Sequence, residues 1–253
     1  MSLPGADVFE RAGLKAWPGI EVEWDGAWVR RSANGYTKRA NSLQCFDPAD
    51  GGQAHERLAA GSAWLRARGL SPVVRTTPLA SPQLNAVLDA QGWQTIDASH
   101  LYAMPLGEHE YEREPDRAAR LFSPLDPDFL AAQQVLSGHG DALMERMRAL
   151  LAVIDVPAAG IVVYRDGLPV ASGLMAIGDG IVITGNVVTH KSHRRQGLAG
   201  AMMRTGLAWA RGQGATIAAL NVQADNQAAK ALYRSLGYRH VYDYTYRIPG
   251  DAA

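Results

Sequence analysis

Cysteine is nearly absent: Cys45 stands alone among 253 residues. A single thiol makes no intrachain disulfide and no thiolate metal cluster, so Cys45 reads as a buried structural residue. An excess of charge of either sign is also missing. Lysine plus arginine number 25, as do aspartate plus glutamate, for a formal charge of zero. No global field therefore draws the chain to nucleic acid or an anionic membrane, and anion affinity must come from a local cluster. No apolar run reaches the ~20 residues that span a bilayer. The opening stretch, MSLPGADVFERAGLKAW, lacks the basic and then apolar order of a secretory signal. These absences predict a cytoplasmic protein without membrane or nucleic-acid partners, and they leave oligomeric state open. What is present is ordinary for a globular chain: 47% hydrophobic and 20% charged residues, with a length that suits one large or two small domains.

The C-terminal half has the clearest pattern. Ile161–Tyr164 and Leu168–Ile177 are β-rich runs separated by Arg165-Asp166-Gly167, and a second Asp-Gly pair, Asp179-Gly180, leads into Ile181–Thr189. Asp-Gly between such runs signals a hairpin. Small and apolar residues recur at helical spacing through Gly197–Arg211, with Ala199, Met202, Met203, Gly206 and Ala210 on one stripe. Thr216–Val222 reads as a strand. Asn226–Leu236 reads as a helix, capped by Asp225 or Asn226 and stopped by Gly237, and Tyr238–Ile248 as a last strand. The polar stretch Gly107–Arg120 reads as a linker, and Ser123–Asp128 as a turn into a helix.

A duplication emerges at an offset of 145 residues (237 less 92). Without a gap, Gly237 falls on Gly92, Asn186 on Asn41, Gly197 on Gly52, Gly206 on Gly61, Trp209 on Trp64 and Gly214 on Gly69. The sequence thus predicts two similar αβ units, over 1–106 and 121–253, with 107–120 between them. The first has lost the polar residues that mark the second. Leu88 stands at the position of Tyr233, Ser81 at that of Asn226, and Pro48–Gln53 lacks the arginines of the corresponding turn.

That turn is the feature that carries chemistry. Val187–Gly200, VVTHKSHRRQGLAG, runs from a strand through a basic turn and a glycine into a helix. The first amides of a helix have no internal partner and carry the positive dipole end, so they suit phosphate oxygens. Gly197 and Ala199 keep side chains small there, and Arg194 and Arg195 add charge at the rim. Taken alone, His190–Arg195 is also consistent with a solvated loop or a weak nucleic-acid patch. His190 and His193 lack a neighbouring carboxylate in sequence and make a poor metal site, so no metal is expected.

Arg194-Arg195-Gln196-Gly197-Leu198-Ala199 resembles the pyrophosphate loop of the GNAT superfamily of N-acyltransferases, Gln/Arg-x-x-Gly-x-Gly/Ala. Asp225–Tyr233 followed by Leu236-Gly237-Tyr238 resembles the same family's Asn-x-x-Ala-x-x-x-Tyr-x-x-x-Gly-Phe/Tyr signature. The resemblance covers about 121–248. It implies an α/β (α+β) GNAT fold, a mixed and mostly antiparallel sheet flanked by helices, here duplicated. It further implies an acetyl-CoA-dependent N-acyltransferase, with acetyl-CoA as co-substrate and a small-molecule or peptide amine as acceptor, attacked without an acyl-enzyme.

Residue by residue, the resemblance implies that Val187, Val188 and Thr189 pair with the pantetheine arm. The pyrophosphate would lie on Arg194, Arg195, Gln196, Gly197, Leu198, Ala199 and Gly200. Asn226 would contact the pantetheine, and Tyr233 would act as general acid to the thiolate. Seven residues of helix set Asn226 and Tyr233 about 10.5 Å apart on one face, which suits one extended ligand. Reference pKa values of ~10 for Tyr and ~8.5 for a thiol make complete proton transfer about 2 kcal/mol uphill, so Tyr233 is expected to work partly by hydrogen bonding.

One residue departs from the pattern. Many members place a Glu five residues before the motif Asn, and this chain has Asn221, which is no base near neutral pH. The missing Glu and the silent first half leave one rival, a non-catalytic acyl-CoA sensor or interaction module, and the basic turn His190–Arg195 leaves a remoter one, a nucleic-acid module. The acceptor amine is not specified by the sequence. Gly35–Ser42 (GYTKRANS) is polar and specific-looking. It reads either as lining for an acceptor pocket or the inter-unit contact, or as a plain turn with Arg39 on the surface.

Overall fold

In the computed structural model, which describes residues 2–107 and 118–250, both Asp-Gly pairs turn as expected. Asp166 and Gly167 have φ of 52° and 78°, and Asp179 and Gly180 have 50° and 74°, the left-handed pair that a two-residue hairpin needs. They join β7 (Ala158–Arg165) to β8 (Leu168–Gly178), and β8 to β9 (Ile181–Thr189). The helix α6 (Leu198–Gly212), β10 (Ile217–Gln223), α7 (Gln227–Ser235) and β11 (Arg239–Ile248) follow. The expected boundaries hold to within one residue or so, apart from β7, which starts three residues earlier than Ile161.

The first half contains α1 (Ala6–Ala16), β1 (Glu21–Asp25), β2 (Trp28–Ser32), β3 (Leu43–Cys45), α2 (Ala54–Arg66), β4 (Val74–Thr76), α3 (Pro82–Ala90) and β5 (Gln94–Pro105). Between the halves lie β6 (Ala119–Phe122), α4 (Pro127–Ser137) and α5 (Asp141–Leu151). Residues 108–117 of the expected linker lie outside the described residues. Its last two, Ala119 and Arg120, belong to β6, where they pair with Val163 and Val162 of β7.

Subtracting 145 from α7 gives 82–90, the bounds of α3, and subtracting it from α6 gives 53–67, which encloses α2. The turns agree as well: Gly92 and Gly237 have φ of 70° and 96°, and Gly69 and Gly214 have 69° and 87°. In each half a glycine within the longer helix lets that helix approach the sheet. A Cβ on Gly61 would lie 3.1 Å from Leu43, and one on Gly206 would lie 2.6 Å from Met175.

All eleven described strands form one sheet in the order β1-β2-β3-β4-β11-β5-β10-β9-β8-β7-β6. Only β3–β4 and β9–β10 are parallel pairs, so the sheet is mixed and mostly antiparallel. The centre holds an exchange. The last strand of the first half, β5, pairs with β10 of the second, while β11, the last of the second, pairs with β4 of the first. The two units are therefore more than neighbours, since each completes the other's sheet.

Strand alternation divides the core by face. On one face, α6 and α7 cover Ile161, Met175, Val182 and Leu220, while α2 and α3 cover Trp28, Leu43 and Val74. On the other, α1 covers Leu101, Ala176, Ile183 and Tyr242, and α4 with α5 covers Val162 and Leu174. Although α1 comes from the first half, it packs on β8 of the second. A Cβ on Gly178 would lie 2.7 Å from the Ala12 carbonyl.

Candidate active site

The parallel pairing of β9 with β10 begins at Ile181↔Ile217 and ends at Thr184↔Leu220. Beyond that point β9 continues to Thr189 and β10 to Gln223 without pairing to each other. The outer edges of both strands stay occupied. Val188 and Thr189 pair with Ser172 and Ala171 of β8, and Asn221 to Gln223 pair with Leu101 to Ser99 of β5. The strands part because β9 bends. Asn186 adopts φ 51°, and the β8–β9 register shifts between Ser172 and Leu174. Gln133, on α4, fixes the bend by donating to the Asn186 carbonyl at 3.1 Å. The result is a V-shaped slot edged by Val187, Val188 and Thr189. At its vertex the Thr184 hydroxyl is buried, with no hydrogen-bond partner among the described residues.

The basic turn lies at the open end of β9. His190 bonds back to Val170 at 2.9 Å, Lys191–His193 form one 3-10 turn, Arg194 is extended and Arg195 is left-handed at φ 61°. Gly197 is the N-cap of α6, at φ 77° and with no side-chain cap. The helix therefore starts with its first amides unclaimed, between exposed Arg194, Arg195 and Gln196 and small Ala199 and Gly200. A Cβ on Gly200 would lie 3.7 Å from Leu232, so this terminus abuts α7. An uncapped helix end with two arginines and no acid in its first turn fits a pyrophosphate, and a slot of unpaired strand edge fits an extended amide-bearing arm.

Tyr233 projects from α7 into the same cluster as Leu198, Met202, Leu220 and Val222, with Val187 packed against it. It is 6% exposed, and burial pushes its phenol up to about 12. Among the described residues its hydroxyl has no hydrogen-bond partner, so the group is a protonated donor available to a ligand. Asn226 has a job already: its Oδ1 caps α7 by accepting from the Ala229 amide at 3.0 Å. Asn221, in place of the usual Glu, faces away from α7 and accepts from Arg75 at 3.4 Å.

Behind the slot, on the α1 face, lies a network with little trace in the sequence reading. Glu10 of α1, 5% exposed, accepts from Arg75 at 2.8 and 3.2 Å, from Tyr242 at 2.6 Å and from Gln44 at 2.8 Å. Burial alone would raise its carboxyl, but the Arg75 charge and these donors outweigh burial and hold it below the ordinary carboxylate range. Arg75 stacks on Tyr244 at 3.6 Å. The sequence offers only a weak signal for this network: arginines in short strands, Arg31 in WVRRS and Arg75 in VRT, whose neighbours are buried or half-buried. The segment Gly35–Ser42 also turns inward: Tyr36 accepts from Asn186 at 3.2 Å, and Arg39 stacks over Trp17 at 5.3 Å.

His190 and His193 meet only through Ser192 and each other. A different trio, His100, His240 and Asp243, converges on the β5–β11 surface, where both imidazoles hydrogen-bond one carboxylate oxygen, at 2.5 and 2.6 Å. Cys45 is buried, as expected. No helix among the described residues is long and apolar enough to cross a membrane.

A family model described as "Probable histone acetyltransferase Rv0428c C-terminal" matches residues 7–247, which is nearly the whole chain. The chain belongs to that family. As a member of the GNAT superfamily it is an N-acetyltransferase in class, which agrees with the resemblance carried by the two motifs. It is 25% identical over 250 residues to a Bacillus subtilis (strain 168) protein described as the uncharacterized N-acetyltransferase YobR, covering 94% of this chain and 96% of that one. Its fold resembles a GCN5-related N-acetyltransferase from Kribbella flavida, with a TM-score of 0.68, 22% identity and coverage of 98% and 97%. It also resembles a tandem GNAT protein from the clavulanic acid biosynthesis pathway, with a TM-score of 0.63, 16% identity and coverage of 81% and 74%. The tandem neighbour accords with the internal repeat.

Proposed function

We propose that this family member transfers an acetyl group from acetyl-CoA to a primary amine by direct attack, acting in the cytoplasm. The observation that carries the reading is the parting of β9 from β10 beyond Thr184 and Leu220, with an uncapped α6 terminus and the buried Tyr233 on the same face. In this reading the pyrophosphate rests on the amides and side chains of Arg194 to Gly200. The pantetheine arm lies along Val187, Val188 and Thr189, with Asn226 beside it. The first half, 1–106, is a non-catalytic unit that supports the catalytic 121–253.

The amine enters from the α1 face and its nitrogen bonds to the carbonyl carbon. The carbon–sulfur bond breaks, and the nitrogen loses one proton while the sulfur gains one. Tyr233 donates a hydrogen bond to the departing sulfur. With its phenol near 12, complete transfer to a thiolate of pKa ~8.5 would be uphill by about 5 kcal/mol, so its contribution is to stabilise developing charge. Environment takes the place of a dedicated base. Arg31, Arg39 and Arg75 outnumber Glu10 around the cavity that Asn221 lines, and nearby positive charge favours the neutral amine over the ammonium.

A non-catalytic acyl-CoA sensor is the second reading, favoured by Asn221 at the position of the family's Glu. Thiol release from acetyl-CoA across a panel of amines separates the two. The enzyme reading expects amine-dependent release, with Tyr233→Phe lowering turnover at least tenfold, about 1.4 kcal/mol, and leaving acetyl-CoA affinity within about twofold. Tight binding without release for any amine favours the sensor, and unchanged turnover removes Tyr233 from its role.

A further inference from the structure

The cavity behind the slot holds more positive charge than the fold needs. Arg75 is matched by Glu10, but among the described residues neither Arg31 nor Arg39 has a carboxylate within ion-pair distance. Arg31 is 2% exposed. It donates to the Trp17 carbonyl at 3.2 Å and to Gln44 at 3.4 Å, and its buried Nε has no partner. Arg39 reaches the slot itself, because a Cβ on Gly185, the first residue past the last β9–β10 pair, would lie 3.7 Å from Arg39 Nη2. Both arginines line one cavity of about 10 Å³ with Asn221 and Ile183, space for a water and not for a substrate group, so a ligand meets this charge at Arg39 and the slot. Burial, together with Arg75's charge, pulls Arg31 down to about 9, and burial also lowers Arg39. Both remain cations at neutral pH.

An unmatched buried cation such as Arg31 is costly unless something offsets it, and partly exposed Arg39 beside it is open to a ligand. A bare ammonium or a basic peptide would be repelled from a wall of three arginines and one glutamate, whereas an anion a few bonds from the reacting nitrogen would be held there. We propose that the acceptor amine carries a carboxylate received by Arg39 at the slot mouth, with Arg31 adding positive charge behind it, so that the substrate class is an amino acid or a similarly short amino-carboxylate. The inference rests on the acetyl-transfer reading above. Arg39 supplies the contact at the slot mouth, and Arg31, held on the Trp17 carbonyl and Gln44, acts through its charge. Guanidinium pairs carboxylate through parallel charge-assisted bonds, which makes the subsite selective as well as attractive.

Two arms test the subsite. In the first, N-acetyl derivatives of the standard amino acids, and their carboxamides, are titrated into the CoA-bound protein. At least one acid should bind about 100-fold more tightly than its amide, the size expected from losing the charge on one side of a charge-assisted pair. Arg39→Gln should bring the two within about threefold, Arg39→Lys should restore part of the gap, and acetyl-CoA affinity should stay within about twofold. In the second arm, transfer rates to amino acids and to their amides should show the same preference. Equal use of acids and amides, a preference that survives Arg39→Gln, or loss of acetyl-CoA binding in that variant would overturn the subsite. Absence of transfer to every amine would sink the transfer reading instead, and the binding arm would still decide whether a carboxylate is received.

Discussion

The two halves share a backbone plan and differ at the three places where a GNAT site needs specific features. At the helix that follows the third repeat strand, α6 starts among arginines. The start of α2 is acidic: Asp50 accepts from the Ala27 amide at 2.7 Å and from Arg57 of α2 at 2.7 Å. At the strand pair, the residues equivalent to Val188 and Thr189 are Leu43 and Gln44, and these are paired to Val74 and Arg75 of β4, so the first half has no slot. At the shorter helix, fully buried Leu88 replaces Tyr233. The caps are the same in kind. Ser81 accepts from the Leu84 amide at 3.2 Å as Asn226 accepts from Ala229. Structural devices thus survive in both copies, while charge, slot and donor survive in one.

The largest effect is expected at Glu10 of the first half, whose carboxylate pairs with Arg75 of the same half and accepts from Tyr242 of the second. Glu10→Gln leaves Arg75 buried without its counter-charge and should cost about 3 kcal/mol or more, read by denaturant unfolding at pH 7. Because the folded carboxyl lies below its ordinary value, the wild-type pair stabilises the protein above about pH 4.3 and that stability fades as pH falls through the lower folded value. Glu10→Gln should flatten this acid limb, and an unchanged limb would show that other carboxylates govern it.

The two helix caps carry a smaller effect. Ser81→Ala and Asn226→Ala each remove one helix cap and should each cost about 1 kcal/mol. Only Asn226→Ala should also weaken acetyl-CoA binding, by roughly threefold for one lost hydrogen bond. If both variants weaken binding alike, the effect is stability and not contact.

Much of the second half was legible because its signals are local. Asp-Gly turns, the helical stripe from Ala199 to Ala210, and Gly237 as a stop all act within a few residues. The duplication was legible too, since glycines with positive φ and close-packed glycines must recur when a backbone is copied. The exchange of β5 and β11 was not, because neighbours in a sheet are chosen by contacts between segments far apart in the chain. For the same reason α1 over β8 and the Glu10–Arg75 pair, 65 residues apart, left only hints. Arg39 stood on the boundary. Its segment looked specific, but only the bend at Asn186 and the stack on Trp17 show which way it faces.

The central claim, one working donor site in a duplicated fold, is tested most directly by calorimetric titration with acetyl-CoA, alongside Ala199→Glu. The account predicts one molecule bound per chain. A carboxylate at the α6 terminus should weaken that binding about 100-fold, by replacing attraction between helix end and phosphate with repulsion, while leaving the fold intact. Two molecules per chain, or undiminished affinity in Ala199→Glu, would contradict it.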